Sequence, residues 1–225
     1  MFIGHFAPAF VAASAAGQDR PRLGTMFVAA QLADWAFFSL AVAGVEKMRI
    51  DPAASVMVPF DLYEMPFTHS LIGTAILAVA FLGVVAVWRR DLKLGLLAGL
   101  VVLSHWFADW LVHVPDLTLD GTPPKFGLGL WNHPWVAIPL ELALTFGAFA
   151  FFMRRTRGPV GPPLVLGAML LLFQAINWFA PHPDSAGPGL YLQALFAFGV
   201  ISAIAVWVGE NRRFRKRSGL ALSSQ

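Results

Sequence analysis

A chain of 225 residues that is 57% hydrophobic and 13% charged, with mean hydropathy +0.66, lacks the polar surface of a water-soluble domain, whose charged share is usually about 25%. The absence of cysteine excludes a disulfide framework, a thiol nucleophile and a Cys-based metal site. The net charge of +3 comes largely from short basic clusters beside apolar runs, which is topology information and no argument for nucleic acid.

In chain order, residues 2–16 are apolar, short for a membrane span, and carry His5. No basic stretch precedes them, so they do not read as a secretory signal. Residues 18–22 are a polar break. Residues 23–45 form the first full apolar run, with one acid, Asp34, near the middle. Residues 46–67 read as a polar loop containing Glu46, Asp51, Asp61 and Glu64. The next span, 68–88, opens on Thr68-His69-Ser70 and closes at Arg89-Arg90. Residues 92–114 follow, then a Gly- and Pro-rich loop at 115–134 that ends in Trp131-Asn132-His133-Pro134. Residues 135–153, 162–179 and 190–208 are three more apolar runs, the first of them carrying Glu141.

The pattern predicts an all-α, polytopic transmembrane bundle of six or seven spans. Residues 1–211 form a single transmembrane domain and 212–225 a basic cytoplasmic tail. Residues 2–16 either cross as a seventh span or re-enter. Basic residues at 20–22, 89–93, 154–157 and 212–217 alternate with loops poor in Lys and Arg. The positive-inside rule therefore places the basic loops and the C-terminus in the cytoplasm.

The candidate chemistry sits on the run 92–114. His105, Asp109 and His113 stand at i, i+4 and i+8, one polar stripe on a helix. Ionisable groups within a bilayer are costly and mark functional sites, the alternative being a hydrogen-bonded link between helices. Counted from the basic ends, Asp34 and His105 lie roughly 18 Å deep, Asp109 about 24 Å, and His69 and His113 about 30 Å. If residues 2–16 span, His5 lies at roughly 22 Å. These side chains, from separate helices, fall into one layer in the outer half of the membrane. His and Asp are ligands for zinc or a similar divalent ion, which generates a hydroxide nucleophile from water near neutral pH. Glu141, one to two turns into its span, is a candidate proton acceptor or partner to a ligand. His113 either pairs with Asp116 at the interface or joins the site. His133 reads as a loop residue that caps the next helix or contacts headgroups, His182 as a solvated loop residue, Gln174 and Asn177 as hydrogen bonders between helices, and the Trp residues near span ends as an aromatic belt.

Thr68-His69-Ser70-Leu71, followed by the His105–Asp109 pair in an apolar helix, resembles the YdjM-like family of membrane-bound metal-dependent hydrolases, mainly over residues 1–120. Gly4-His5 and Leu32-Ala33-Asp34 match that family's opening His and acid. Arg49-Ile50-Asp51-Pro52 and residues 125–132 resemble bacterial membrane proteins of similar layout. The family often has His-Arg before its Thr-His-Ser, where this chain has Glu64-Met65-Pro66-Phe67, and its acid often belongs to a Pro-Asp-x-Asp cluster. The resemblance implies a metal pair at His105 and Asp109, with His5, Asp34 and His69 as further ligands, in the bacterial inner membrane. The expected function is hydrolysis of a lipid or lipid-linked phosphoester from the outer leaflet, with Asp109, His113 and Glu141 as the candidate catalytic groups. A proton or cation transporter using the same layer is the alternative, and a non-catalytic metal-stabilised scaffold is a third reading.

Overall fold

The first apolar stretch folds into the bundle. In the computed structural model, which describes residues 1–17 and 20–215, a 3-10 turn at Ile3–His5 leads into α1, Phe6–Ala15. Thirteen residues rise about 20 Å, short of the roughly 30 Å hydrocarbon core. Ile3, Phe6, Ala9, Phe10 and Ala13 are all fully buried. A helix that is apolar all round belongs in an interior, and α1 is a short buried helix, not a seventh span.

The run 23–45, expected as one helix, is broken. It divides into α2, Leu23–Ala30, and α3, Leu32–Val42, which meet at Gln31 with a bend of 52°. The break places Asp34 in the first turn of α3, where the helix N-terminus favours a carboxylate. The stretch 46–67, expected as a loop, contains an antiparallel hairpin, β1 Lys47–Ile50 and β2 Phe60–Glu64. Exposed pairs Lys47–Glu64 and Arg49–Asp61, each at 2.7 Å, line its outer side. Its inner side buries Met48, Leu62 and Met65 with Phe37, Trp106, Leu117 and Tyr191.

Thr68-His69-Ser70 lies ahead of α4, Leu71–Arg89, and the Ser70 hydroxyl caps that helix by accepting from Gly73 N at 3.0 Å. Arg90 adopts a left-handed conformation and Asp91 caps α5, Leu92–Val112, through Leu94 N. A two-residue turn thus joins two antiparallel helices. Their backbones approach closely because α5 offers Gly95 and Gly99 at the contact: a Cβ on Gly95 would meet Ala86 Cβ and Leu82 O at 2.8 Å. Small residues serve this purpose between membrane helices. The outer face of α4 is left bare, with Val87 80% exposed and Val79 69% exposed, as lipid requires.

Helices α6 (Pro134–Arg155), α7 (Gly161–Phe179) and α8 (Pro188–Glu210) complete the bundle. Each begins at or beside proline, whose missing N–H costs nothing in the first turn. Among the described residues, five helices (α4 to α8) are long and apolar enough to cross a membrane, six with the bent pair α2–α3 counted as one. The protein is an all-α integral membrane bundle. At the end opposite the site, strand Thr156–Arg157 pairs with Arg213–Phe214. Buried Arg212 donates to Thr156 Oγ1 at 2.7 Å and to the carbonyls of Thr156 and Pro159 at 3.1 Å. Arg212 and Arg213 are therefore built into the fold and not a free tail. The remainder of the expected tail, 216–225, lies outside the described residues.

Candidate metal centre

Asp109, 1% exposed, is the hub. Its Oδ2 lies 3.0 Å from Nε2 of His105, one helical turn earlier, and 3.7 Å from Nε2 of His69. Its Oδ1 lies 3.0 Å from Nε2 of His5, 3.3 Å from Nε2 of His113 and 2.7 Å from the Met1 amine. Asp34 closes the other side, with Oδ1 at 3.3 Å from His69 Nε2 and 3.6 Å from His105 Nε2. The five expected ligands His5, Asp34, His69, His105 and Asp109 thus converge, and His113, the C-cap of α5, joins them.

Each imidazole is held from behind. His105 Nδ1 is 2.8 Å from the Ala30 carbonyl, at the end of α2; a carbonyl only accepts, so Nδ1 carries the hydrogen. His113 Nδ1 faces the Asp116 carboxylate at 3.0 and 3.2 Å with the same consequence. His69 Nδ1 is 2.8 Å from Thr68 Oγ1, whose own hydrogen goes to Glu46 Oε2 at 2.6 Å. The hydroxyl must then accept from the ring. Glu46 is itself fixed by the N–H groups of Phe67 and Thr68. In all three rings Nδ1 is the protonated nitrogen, and in the neutral form the Nε2 lone pair points at the carboxylates. Such outer partners set ligand tautomer and orientation in metal sites.

His5 is placed by the turn that carries it. Glu141 Oε1 accepts from Phe2 N at 2.7 Å and Gly4 N at 3.1 Å, and Gln174 Oε1 accepts from Ile3 N at 3.1 Å. Glu141, expected as a proton acceptor or ligand partner, anchors this turn. Gln174 is the interhelical hydrogen bonder it was expected to be, directed at the N-terminal segment.

These residues fit a divalent ion. Four donor atoms (His69 Nε2, His105 Nε2, Asp34 Oδ1 and Asp109 Oδ2) have nitrogen–oxygen separations of 3.0 to 3.7 Å. Bonds of about 2.1 Å to a tetrahedral ion put ligand atoms about 3.4 Å apart. The buried Nε2 atoms of His5 and His105 make no hydrogen bond among the described residues, although each has an Asp109 oxygen at 3.0 Å. An ion between such lone pairs removes the mismatch. Two triads, His5–His105–Asp109 and Asp34–His69–His105, each offer ligand atoms within 4.8 Å of one another and could hold a metal ion.

The cluster floors a cavity of about 440 Å³. Asp34, His69, Asp109, His113 and Glu141 line its polar end, and Phe37, Phe38, Phe60, Phe173 and Phe198 its walls. Trp131 packs against His113, tilted by 32°, with ring centres 4.1 Å apart. His182, expected as a solvated loop residue, also lines this cavity and meets the Phe60 ring at 5.3 Å. His133 is exposed in the loop, and its side chain does not cap α6. No family model, curated protein or solved structure matches the chain.

The Glu46–Thr68–His69 chain has a direct test. Thr68→Val keeps the shape and removes the hydroxyl, so His69 loses the group that fixes its tautomer. Divalent-ion affinity is expected to fall about 10- to 100-fold, read by isothermal titration in detergent; unchanged affinity would show that the hydroxyl does not set His69.

Proposed function

We propose that this protein is a metal-dependent hydrolase of the bacterial inner membrane, with zinc as its ion and a lipid or lipid-linked phosphoester, taken from the outer leaflet, as its substrate. The observation that carries the reading is the joint placement of two features. Imidazole Nε2 atoms, with Nδ1 hydrogen-bonded behind three of them, face the buried Asp109 and the partly buried Asp34 carboxylates, and this cluster sits at the foot of an aromatic-walled cavity. The resemblance to YdjM-like hydrolases, and the alternating basic loops that put the C-terminus in the cytoplasm, support the same reading.

The ion would draw its protein ligands from His69, His105, Asp34 and Asp109, leaving one position open for water. When bound, it supplies Lewis acidity and lowers the pKa of a water molecule. The protein's part is to orient and to exclude. The apolar walls take the hydrocarbon portion of the substrate and leave its phosphate at the polar end. Hydrolysis forms a bond from water oxygen to phosphorus and breaks one ester bond from phosphorus to a leaving oxygen, the nitrophenolate oxygen in the assay below. Beyond the cluster the interior is filled by Phe6, Phe10, Phe27, Leu94, Phe152 and Leu166, all fully buried, which supports the reading of a site over that of a path across the bundle.

The test uses purified protein, prepared without chelator, and hexadecyl 4-nitrophenyl phosphate in mixed micelles. Nitrophenolate release is expected, lost on chelation and restored by Zn²⁺. Protein free of stoichiometric metal that instead carries a pH-dependent proton or cation flux in liposomes would replace this reading with transport.

A further inference from the structure

Asp109 is flanked by four imidazoles, two on each oxygen. Oδ2 faces His105 and His69 at 3.0 and 3.7 Å; Oδ1 faces His5 and His113 at 3.0 and 3.3 Å. Only the Oδ2 side also has Asp34. The triads His5–His105–Asp109 and Asp34–His69–His105 share His105, and His113 adds a further imidazole on the Oδ1 side. His113 is oriented for the role of ligand by Asp116, as His69 is by Thr68 and Glu46. A single ion held by His69, His105, Asp34 and Asp109 needs no such orientation of His113.

We propose that the site takes two divalent ions, one on each oxygen of Asp109. His5 and His113 serve the second ion, and Asp109 bridges the pair. This rests on the hydrolase reading and deepens it. Ions bridged in this way stand about 3.5 to 4 Å apart and clamp both the attacking and the leaving oxygen of an in-line displacement. The substrate class that suits them is a phosphate ester, whose non-bridging oxygens can reach both ions.

Metal-stripped protein in detergent is titrated with Mn²⁺ and followed by elemental analysis and electron paramagnetic resonance. Wild type is expected to bind two ions per chain with an exchange-coupled spectrum. His113→Ala is expected to bind one ion, uncoupled, and Asp34→Asn likewise, each variant first checked for a monodisperse elution profile. One ion per chain in wild type, or two without coupling, overturns the two-ion site and leaves the hydrolase reading standing. No bound ion overturns both. Should a variant fail to fold, the stoichiometry and coupling of wild type decide the matter alone.

Discussion

Asp109→Asn is expected to abolish metal binding and phosphoester hydrolysis together. Asparagine keeps the volume of the side chain but loses the negative charge, and one of its two oxygens becomes an NH₂ group that cannot ligate. Every imidazole in the cluster lies within 3.7 Å of an Asp109 oxygen, so no part of the site is insulated from the change. Altering an outer partner of a metal ligand typically costs 10- to 100-fold in affinity; removing the central carboxylate is expected to exceed about 100-fold. The same substitution leaves the Met1 amine beside a neutral group, and breaking a buried ion pair costs about 3–5 kcal/mol. Asp34→Asn is therefore the companion variant, expected to keep one ion and lose hydrolysis, because the Asp34 side chain is 19% exposed and its loss leaves less uncompensated charge. His133→Ala, in the exposed loop before α6, is expected to change neither property. Elemental analysis and the micelle assay on the same preparations decide. Asp109→Asn protein that is folded and retains its metal would remove Asp109 from the centre of the site.

The parts of the site that follow from helical periodicity were legible in the sequence. His105 and Asp109 are one turn apart on α5, and Asp109 and His113 are four residues apart, so any helix through 92–112 aligns them. Asp34 and His69 were recognisable as ionisable groups out of place in apolar runs. What lay beyond reach was set by contacts between distant segments. The break at Gln31 has no Pro or Gly to announce it. There the Ala30 carbonyl accepts from His105 Nδ1, and Gln31 Nε2 donates to Asp34 Oδ2 at 3.2 Å. The first joins residues 75 apart and leaves no local signature; the second is local, between residues three apart. Glu46 stands 22 residues before Thr68 in what reads as a loop, and the alternation Phe60-Asp61-Leu62-Tyr63-Glu64 that marks a strand is masked by the prolines around it. Residues 2–16 are apolar enough for a span, and only their length argues against one. Glu141 was visible as an acid in a span, but its partners are backbone N–H groups of residues 2 and 4, which no side-chain pattern reveals.

Ala197→Phe is expected to impair turnover of the long-chain ester while leaving metal binding and short-chain turnover intact. Ala194 and Ala197 lie on the cavity-facing side of α8, and Phe38 and Phe173 line the same cavity. Small residues there leave room for an apolar chain, and a phenyl ring at position 197 occupies part of that room. A ring that displaces about three methylenes, at about 0.8 kcal/mol each, removes about 2.4 kcal/mol of binding, or about 50-fold in kcat/KM. That binding is equal in ground and transition states, so the loss should appear in KM with kcat nearly unchanged. Methyl 4-nitrophenyl phosphate, which has no chain to place, should be hydrolysed equally by wild type and variant, and Mn²⁺ stoichiometry should be the same in both. Equal slowing of the long and the short ester would mean that the introduced ring disturbs the cluster itself. An unaffected long-chain ester would mean that the hydrocarbon does not enter between α3, α7 and α8, and the cavity would lose its role in substrate binding.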